Sequence, residues 1–472
     1  MKKETIAAIS TGMSNSGIGI VRISGDEAFE VADRVYRGKH KLSQCGTHTI
    51  QYGYIWDNEE VIDQVLVMVM KAPHTFTGED TIEIDCHGGT FVVRRVLEAV
   101  LKNGARPAEP GEFTKRAFLN GKMDLSQAEA VIDVITSQND YALKSSISQL
   151  KGSLKNRIND IRKRIIYHTA YIESALDDPE HISLEGYADQ LRKDALSITD
   201  EIGHLIDSAD DGRIMKEGIQ TVIIGKPNAG KSSLLNVLTG YDRAIVTDIE
   251  GTTRDVLEEQ ISLHGLNLNI IDTAGIRETD DIIERMGVDK AEQYAENADL
   301  LICVVDASRQ LDENDDRILQ FTFHKKSIIL LNKTDLEMAV NVEEIVNKLI
   351  TLWKTRENSI NSGKMPEIPV IMISAKEEKG IREFEDKVKE LFLHGDISFN
   401  DEVFITNARQ KSDLKDAMDS MKKVLKSIDD GMPEDFYSID LMDAYEALGR
   451  ITGEAVGEDL INEIFSRFCM GK

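Results

Sequence analysis

Four cysteines in 472 residues, no apolar run near bilayer length and a deficit of basic residues set the first limits on this chain. Cys45, Cys86, Cys303 and Cys469 stand far apart with no CxxC pair, which argues against a disulfide framework and a zinc site. At most one of them is left for reactive chemistry. No stretch approaches the ~20 apolar residues that cross a bilayer, and Met1-Lys2-Lys3-Glu4 leads into polar and small residues rather than a signal-peptide core. The expectation is a cytoplasmic protein without membrane contact. Fifty-six lysines and arginines face 83 aspartates and glutamates, a formal net charge of −27. Such a surface repels a polyanion over a Debye length, so any nucleic acid would need basic surface from another chain. A local basic cluster, Arg157, Arg162, Lys163 and Arg164, reads as a solvated helix face.

The length suggests roughly two to four domains. Residues 1 to 120 alternate strand and helix signals: strands at 5–9, 19–23, 49–55, 65–70 and 81–85, helices at 27–35 and 92–101. An α+β sandwich is the simplest packing. From Ser126 the pattern turns helical. Ser126-Gln127-Ala128-Glu129 has the form of a capping box, and Leu143, Ile147, Leu150, Leu154, Ile158, Ile161 and Ile165 predict one long amphipathic helix. Pro179 marks a break, followed by a helix through Leu191, Ala195, Ile198, Ile202 and Leu205. The last seventy or so residues are helical again. Between 217 and 395, apolar strands at 269–272, 300–306, 327–332 and 369–373 alternate with helices, which predicts a mostly parallel sheet with its ligand loops at the carboxyl edge. The expected architecture is multidomain α/β and α+β: an N-terminal domain (1–120), a helical domain in two pieces (121–216 and 396–472) and an inserted α/β domain (217–395).

That inserted segment carries the chemistry. Gly225-Lys226-Pro227-Asn228-Ala229-Gly230-Lys231-Ser232 is a complete GxxxxGK[ST] loop between the apolar run Val222-Ile223-Ile224 and a helical segment starting Ser233-Leu234-Leu235. Glycines let backbone N–H groups wrap phosphate oxygens, and the helix aims its positive end at the anion. Lys231 is placed to reach the β- and γ-phosphates, and the Ser232 hydroxyl to hold Mg²⁺. Asp272-Thr273-Ala274-Gly275 offers a carboxylate for the metal's water and a glycine N–H for the γ-phosphate. Asn332-Lys333-Thr334-Asp335 and Ser374-Ala375-Lys376 each follow a strand. The Asp335 carboxylate can accept both the ring N–H and the exocyclic amine of guanine, a donor pair that adenine lacks, so the whole set points to GTP. Gly251-Thr252-Thr253-Arg254-Asp255 sits where a switch segment belongs, with Thr253 preferred as the second Mg²⁺ ligand.

Hydrolysis needs an oriented water and compensation of charge on the γ-phosphate. The residue after Gly275 is Ile276, which cannot orient water by hydrogen bonding; Glu278, Asp280, Asp281 and Glu284 follow, each readable as a solvated carboxylate. Compensation can come from an arginine or a cation, and Asn228 has a carbonyl oxygen able to ligate one. On spacing alone Asn228 is a turn residue.

Outside the GTP motifs the chain resembles the MnmE (TrmE) family of tRNA-modification GTPases along essentially its full length. The resemblance rests on Gly17-Ile18-Gly19-Ile20-Val21-Arg22-Ile23-Ser24-Gly25, Phe76-Thr77-Gly78-Glu79-Asp80, His87-Gly88-Gly89, the run Pro110-Gly111-Glu112-Phe113-Thr114-Lys115-Arg116 with Asn120-Gly121-Lys122, and the terminal Phe468-Cys469-Met470-Gly471-Lys472. The turn Thr11-Gly12-Met13-Ser14-Asn15-Ser16 departs from the family's proline-rich, arginine-containing turn, and Met470 replaces an isoleucine. The resemblance implies a homodimer joined by N-terminal domains that bind 5-formyltetrahydrofolate or a related tetrahydrofolate through Arg22, Glu83, Lys122 and Lys472. It implies GTP hydrolysis activated by K⁺, held by Asn228 with backbone oxygens of Thr247, Ile249 and Thr252. Asp248, Glu250, Gly251 and Ser233 would join the GTP-binding set, and Glu284 would position the attacking water beside Lys231. The implied role is addition of an aminomethyl-type (carboxymethylaminomethyl) group to C5 of the wobble uridine of certain tRNAs, together with the FAD- and NADH-dependent partner MnmG (GidA). Cys469 is readable as a nucleophile or as a thiol packed at the folate site. The competing reading is a ribosome-assembly or translation GTPase; such proteins usually append a basic RNA-binding module, and none is evident here.

Overall fold

A computed structural model describes residues 4–241, 259–263, 266–271, 298–357, 364–392, 404–454, 456–466, 468 and 471. They form two compact units, one of Met1–Ile135, Ser146–Gly203 and Ser412–Lys472, the other of Thr136–Ser145 and His204–Lys411.

The first unit opens with a seven-stranded sheet: β1 (Ile6–Ile9), β2 (Ile18–Ser24), β3 (Tyr36–Gly38), β4 (Thr49–Asp57), β5 (Glu60–Met70), β6 (Thr81–His87) and β7 (Arg106–Pro107), in spatial order β3-β4-β5-β6-β2-β1-β7. Alternation with period two puts Val21, Ile23, Val65, Val67, Val69, Ile82 and Ile84 on one face. Helices Ala28–Val35 and Thr90–Lys102 cover that face through Val31, Ala32, Val35, Val93, Val96 and Val100. The same alternation turns Arg22 and Glu83, cross-strand partners in β2 and β6, to the other face. Strand β5 begins at Glu60, five residues before the apolar signal. The hairpin closes on Asp57↔Glu60 with Asn58 in the left-handed region, φ 55°, so pairing runs on through polar residues.

Three helical expectations are corrected. The capping box belongs to Asp124 and Gln127, not to Ser126 and Glu129. Asp124 Oδ1 accepts from the Gln127 N–H at 3.1 Å and from Ser126 Oγ at 2.6 Å, and Gln127 Oε1 accepts from the Asp124 N–H at 3.1 Å. The helix therefore starts at Leu125. The long stripe is two helices, Asp140–Leu150 and Ser153–Asp177, parted at Gly152, whose φ of 89° suits glycine. Leu154, Ile158, Ile161 and Ile165 are fully buried while Leu143 and Ile147 are each 37% exposed, so the apolar spacing outruns the core. The basic cluster is mostly spent internally. Arg157 and Arg164 converge on Glu201, at 3.2 and 2.6 Å; Arg162 is buried over the Tyr445 ring and pairs with Glu454 at 2.7 Å. Helix Glu434–Thr452, which carries Tyr445, packs along Ser153–Asp177.

The second unit holds a six-stranded sheet: β8 (Ile219–Ile224), β9 (Glu259–Leu263), β10 (Leu266–Ile270), β11 (Leu300–Asp306), β12 (Lys326–Asn332) and β13 (Val370–Met372), in order β13-β12-β11-β8-β10-β9. Every pairing is parallel except β9 with β10. The β9–β10 pair is absent from the sequence expectation, and the strand predicted at 269–272 ends at Ile270. The sequence Leu-Asn-Leu-Asn-Ile looks half-polar, yet all five residues are buried, with Asn269 Nδ2 donating to the Glu217 carbonyl at 2.6 Å. All seven residues of β11 are buried, as a central parallel strand requires.

Candidate functional site

Strand β8 is flanked by β11 and β10 and leads directly into the glycine-rich loop. A Cβ on Gly225 would lie 2.4 Å from the Val304 carbonyl oxygen, so only glycine lets the loop leave the sheet this way. Asn228, at φ 61°, is exposed on the loop; Gly230, at φ 101°, has room for no Cβ, which would lie 2.1 Å from Asn332 Nδ2. Helix Lys231–Tyr241 follows, with Ser232 half-buried and Ser233 exposed in its first turn. The Lys231 ammonium is buried inside the loop and donates to the carbonyls of Gly225, at 2.8 Å, and Lys226, at 2.9 Å. A cation ringed by turned backbone at a helix N-terminus is the chemistry a polyphosphate needs.

One buried amide joins the three binding segments. Asn332, at the end of β12, donates through Nδ2 to the Ala229 carbonyl at 2.9 Å and accepts the Ala375 N–H at 3.0 Å. Lys333 adopts φ 67°, and Thr334 Oγ1 donates to the Ile373 carbonyl at 3.0 Å, fixing the next turn. Asp335 is held by Ser374 Oγ at 2.8 Å, which keeps its carboxyl below the usual range. It therefore stays an anionic acceptor, and Lys376 lies close enough to lower it further. Sequence reasoning missed Asp306 at the end of β11. It accepts from Lys333 Nζ at 2.7 Å, and its position at the carboxyl edge of a parallel strand is the signal that marks it. Asp272, Thr273, Ala274 and Gly275, the segment from Thr247 through Asp248, Ile249, Glu250, Gly251 and Thr252 to Thr253, and Glu284 lie outside the described residues.

In the first unit Arg22 and Glu83 form an ion pair of 2.7 Å, each 16% exposed. The Arg22 guanidinium lies 5.8 Å from the Phe76 ring centroid and 5.5 Å from that of Phe113. Its Nη1 and Ser10 Oγ both donate to the Gly471 carbonyl, at 3.3 and 3.2 Å, so the end of the chain returns to the first two strands. Lys122 Nζ donates to the Pro73 carbonyl at 2.9 Å, in the loop that carries Phe76. Lys472 and Cys469 lie outside the described residues. Beneath this cluster Glu112 takes Arg106 at 2.6 Å and Arg116 at 2.9 Å, and Arg116 also reaches Glu79 at 3.0 Å.

Burial raises the Glu112 carboxyl, but hydrogen bonds from Arg106, the Glu109 N–H and Arg116 outweigh it and bring it down to about 2. A carboxyl depressed on folding gives stability above its unfolded value near 4.5 and loses it as pH falls toward 2. The full shift corresponds to up to about 3 kcal/mol. Glu112→Gln should therefore melt at a lower temperature than the parent at pH 7, with the gap shrinking between pH 4.5 and 2; a gap that does not change with pH would contradict this.

A GxxxxGK[ST] loop on a central parallel strand, bridged by Asn332 to a strand end bearing an anionic Asp335, defines a P-loop GTPase. The flanking sequence narrows the class. Residues 5–122 match the family model described as GTP-binding protein TrmE N-terminus, and residues 125–469 match the MnmE helical domain. The chain is 56% identical over 475 residues to the tRNA modification GTPase MnmE of Lachnoclostridium phytofermentans and 49% identical over 473 to that of Acetivibrio thermocellus, covering 100% of each chain. It is 45% identical over 479 residues to the protein of the same name from Clostridioides difficile, covering 99% of both. The chain belongs to the MnmE family of tRNA modification GTPases.

Proposed function

We propose that this GTP hydrolase, activated by K⁺ and working with the flavoprotein MnmG, drives addition of an aminomethyl-type group to C5 of the wobble uridine of certain tRNAs, using a one-carbon unit from a tetrahydrofolate. The observation that carries the reading is the presence in one chain of the Lys231–Asn332–Asp335 site and of the Arg22–Glu83 pair to which Gly471 returns. On this reading residues 1–120 bind folate and pair two copies, 217–395 are the GTPase domain, and 121–216 with 396–472 form the helical domain. Ile50, Tyr52 and Leu66, side by side on β4 and β5 and 46–61% exposed, support pairing through the N-terminal domain. No helix among the described residues is long and apolar enough to cross a membrane; the place of work on this reading is the cytoplasm.

At the nucleotide, Lys231 would neutralise the β- and γ-phosphates, Ser232 and Thr253 would hold Mg²⁺, and Asp335 would read the base. Asn228, exposed on the loop, fits a cation ligand beside the phosphates, together with Thr247, Ile249 and Thr252. Glu284 would orient the attacking water. At the second site Arg22 and Lys122, with Lys472, are cations suited to folate carboxylates. Glu83 is an acceptor for pterin N–H groups, and Phe76, 38% exposed, gives a flat ring an apolar wall. The bound folate would supply the one-carbon unit; these side chains bind and orient it. Cys469 is left as a candidate thiol beside it.

GTP turnover should be faster in K⁺ than in Na⁺, by up to roughly 10³-fold, and Glu284→Ala should abolish turnover while retaining GTP binding. Steady-state hydrolysis in the two salts and a nucleotide titration check this; equal rates in both salts would remove the cation's role. Lys122→Glu should weaken folate affinity with GTP hydrolysis unaffected. The decisive measurement is reconstitution with MnmG, GTP, K⁺ and folate, followed by mass spectrometry of tRNA nucleosides; unmodified uridine in the complete mixture would defeat the reading.

A further inference from the structure

Lys333, in the base-reading turn, and Lys226, in the phosphate loop, are joined by a continuous line of ion pairs. Lys333 Nζ meets Asp306 at 2.7 Å, and Asp306 meets Arg309 Nε at 3.9 Å. Arg309 Nη2 meets Asp315 at 3.4 Å, and Asp315 meets Lys226 Nζ at 3.2 Å. Asp312 closes the line, paired with both Lys226 and Arg309. Both ends are anchored in backbone. Asp312 and Asp315 form the capping box of helix Glu313–Phe321, and the Lys226 carbonyl is one of the two that hold the Lys231 ammonium. At the other end Asp306 is only 8% exposed and also accepts from Ser308 Oγ and N–H, at 2.6 and 2.9 Å.

We propose that Asp306, Arg309 and Asp315 are positioning residues that hold the guanine-reading turn and the phosphate loop in one register, so that binding at either end is felt at the other. None of the three is among the groups assigned to nucleotide contact. Burial raises the Asp306 carboxyl, but the bonds from Lys333 and Ser308 bring it below its ordinary value, and the Lys226 hydrogen bond takes Asp312 down to about 2. Both carboxylates therefore remain charged throughout the neutral range. Arg309 is the middle link and can be altered without touching either loop directly.

The proposal rests on the GTPase reading, and the test separates the two. In the full-length chain, Arg309→Met should weaken GDP binding and cut the preference for GDP over inosine diphosphate, which lacks the exocyclic amine, each by about fivefold. Asp315→Asn, which leaves the Asp312 bridge between Lys226 and Arg309, should act in the same direction with a smaller effect. The double variant should be little worse than Arg309→Met alone, because Arg309 stands on both the Asp315 and the Asp312 routes to Lys226. Arg309→Lys should restore most of the preference, and 1 M salt should shrink the parent's advantage. A purely stabilising role would lower the melting temperature and leave the GDP-to-inosine diphosphate ratio untouched. An unchanged ratio in Arg309→Met and Asp315→Asn, or full additivity in the double variant, overturns the proposal. Should Arg309→Met fail to fold, Asp315→Asn and the salt dependence carry the same decision. A parent chain with no preference for guanine over adenine diphosphate would instead sink the GTPase reading itself.

Discussion

Asp335→Asn should weaken GTP binding by roughly 10²- to 10⁴-fold and create affinity for xanthosine triphosphate. The carboxylate offers acceptors to two donors on guanine, and an amide puts a donor against one of them. Xanthine has a carbonyl where guanine has its amine, so the same amide is matched there. The Ser374 Oγ bond at 2.8 Å can serve either side chain, which isolates the change to the base-facing atoms. Competitive titration with the two nucleotides decides it. Unaltered GTP affinity, or no gain for the xanthine nucleotide, would mean that Asp335 does not read the base.

The second large effect is expected from Gly230→Ala. At φ 101° an L residue is strained by about 1–2 kcal/mol. The new Cβ would also fall 2.1 Å from Asn332 Nδ2, which must abandon the Ala229 carbonyl and drag its bond to Ala375 with it. Losing a buried amide's partners costs about 1–3 kcal/mol more. The sum, about 2–5 kcal/mol, predicts nucleotide binding weaker by roughly 30- to 5,000-fold. Because Asn332 bridges three loops, guanine preference should fall along with phosphate affinity. Fluorescent-nucleotide titration checks the loss, and binding within threefold of the parent would show that the loop yields without harm.

Both effects concern residues readable from sequence because backbone sterics leave little choice there. Glycine at a left-handed turn and a carboxylate at a strand end keep their chemistry whatever surrounds them. Elsewhere the competing physics won. The helix that begins at Leu125 is capped by Asp124 rather than Ser126, since the carboxylate two residues earlier accepts the Gln127 N–H and the Ser126 hydroxyl itself. Apolar spacing from Leu143 to Ile165 ran straight across Gly152, because a hydrophobic stripe records facing and not continuity. Asn267 and Asn269 masked a fully buried strand. The pairing of Arg22 with Glu83, and the line from Lys333 to Lys226, join residues far apart in sequence; neither spacing nor composition encodes them. Thr253 stays with its place in the sequence between the phosphate loop and Asp272, and Glu284 with what family resemblance implies.

The return of Gly471 to Ser10 and Arg22 gives the molecule an order of manufacture. Those hydrogen bonds span 461 and 449 positions, so a sheet made early waits for a residue made more than four hundred positions later. Everything between, the whole nucleotide-binding unit included, has been synthesised before the Arg22 cluster can be closed. A chain that stops short of Gly471 would thus carry its nucleotide loops and leave the Arg22 cluster open.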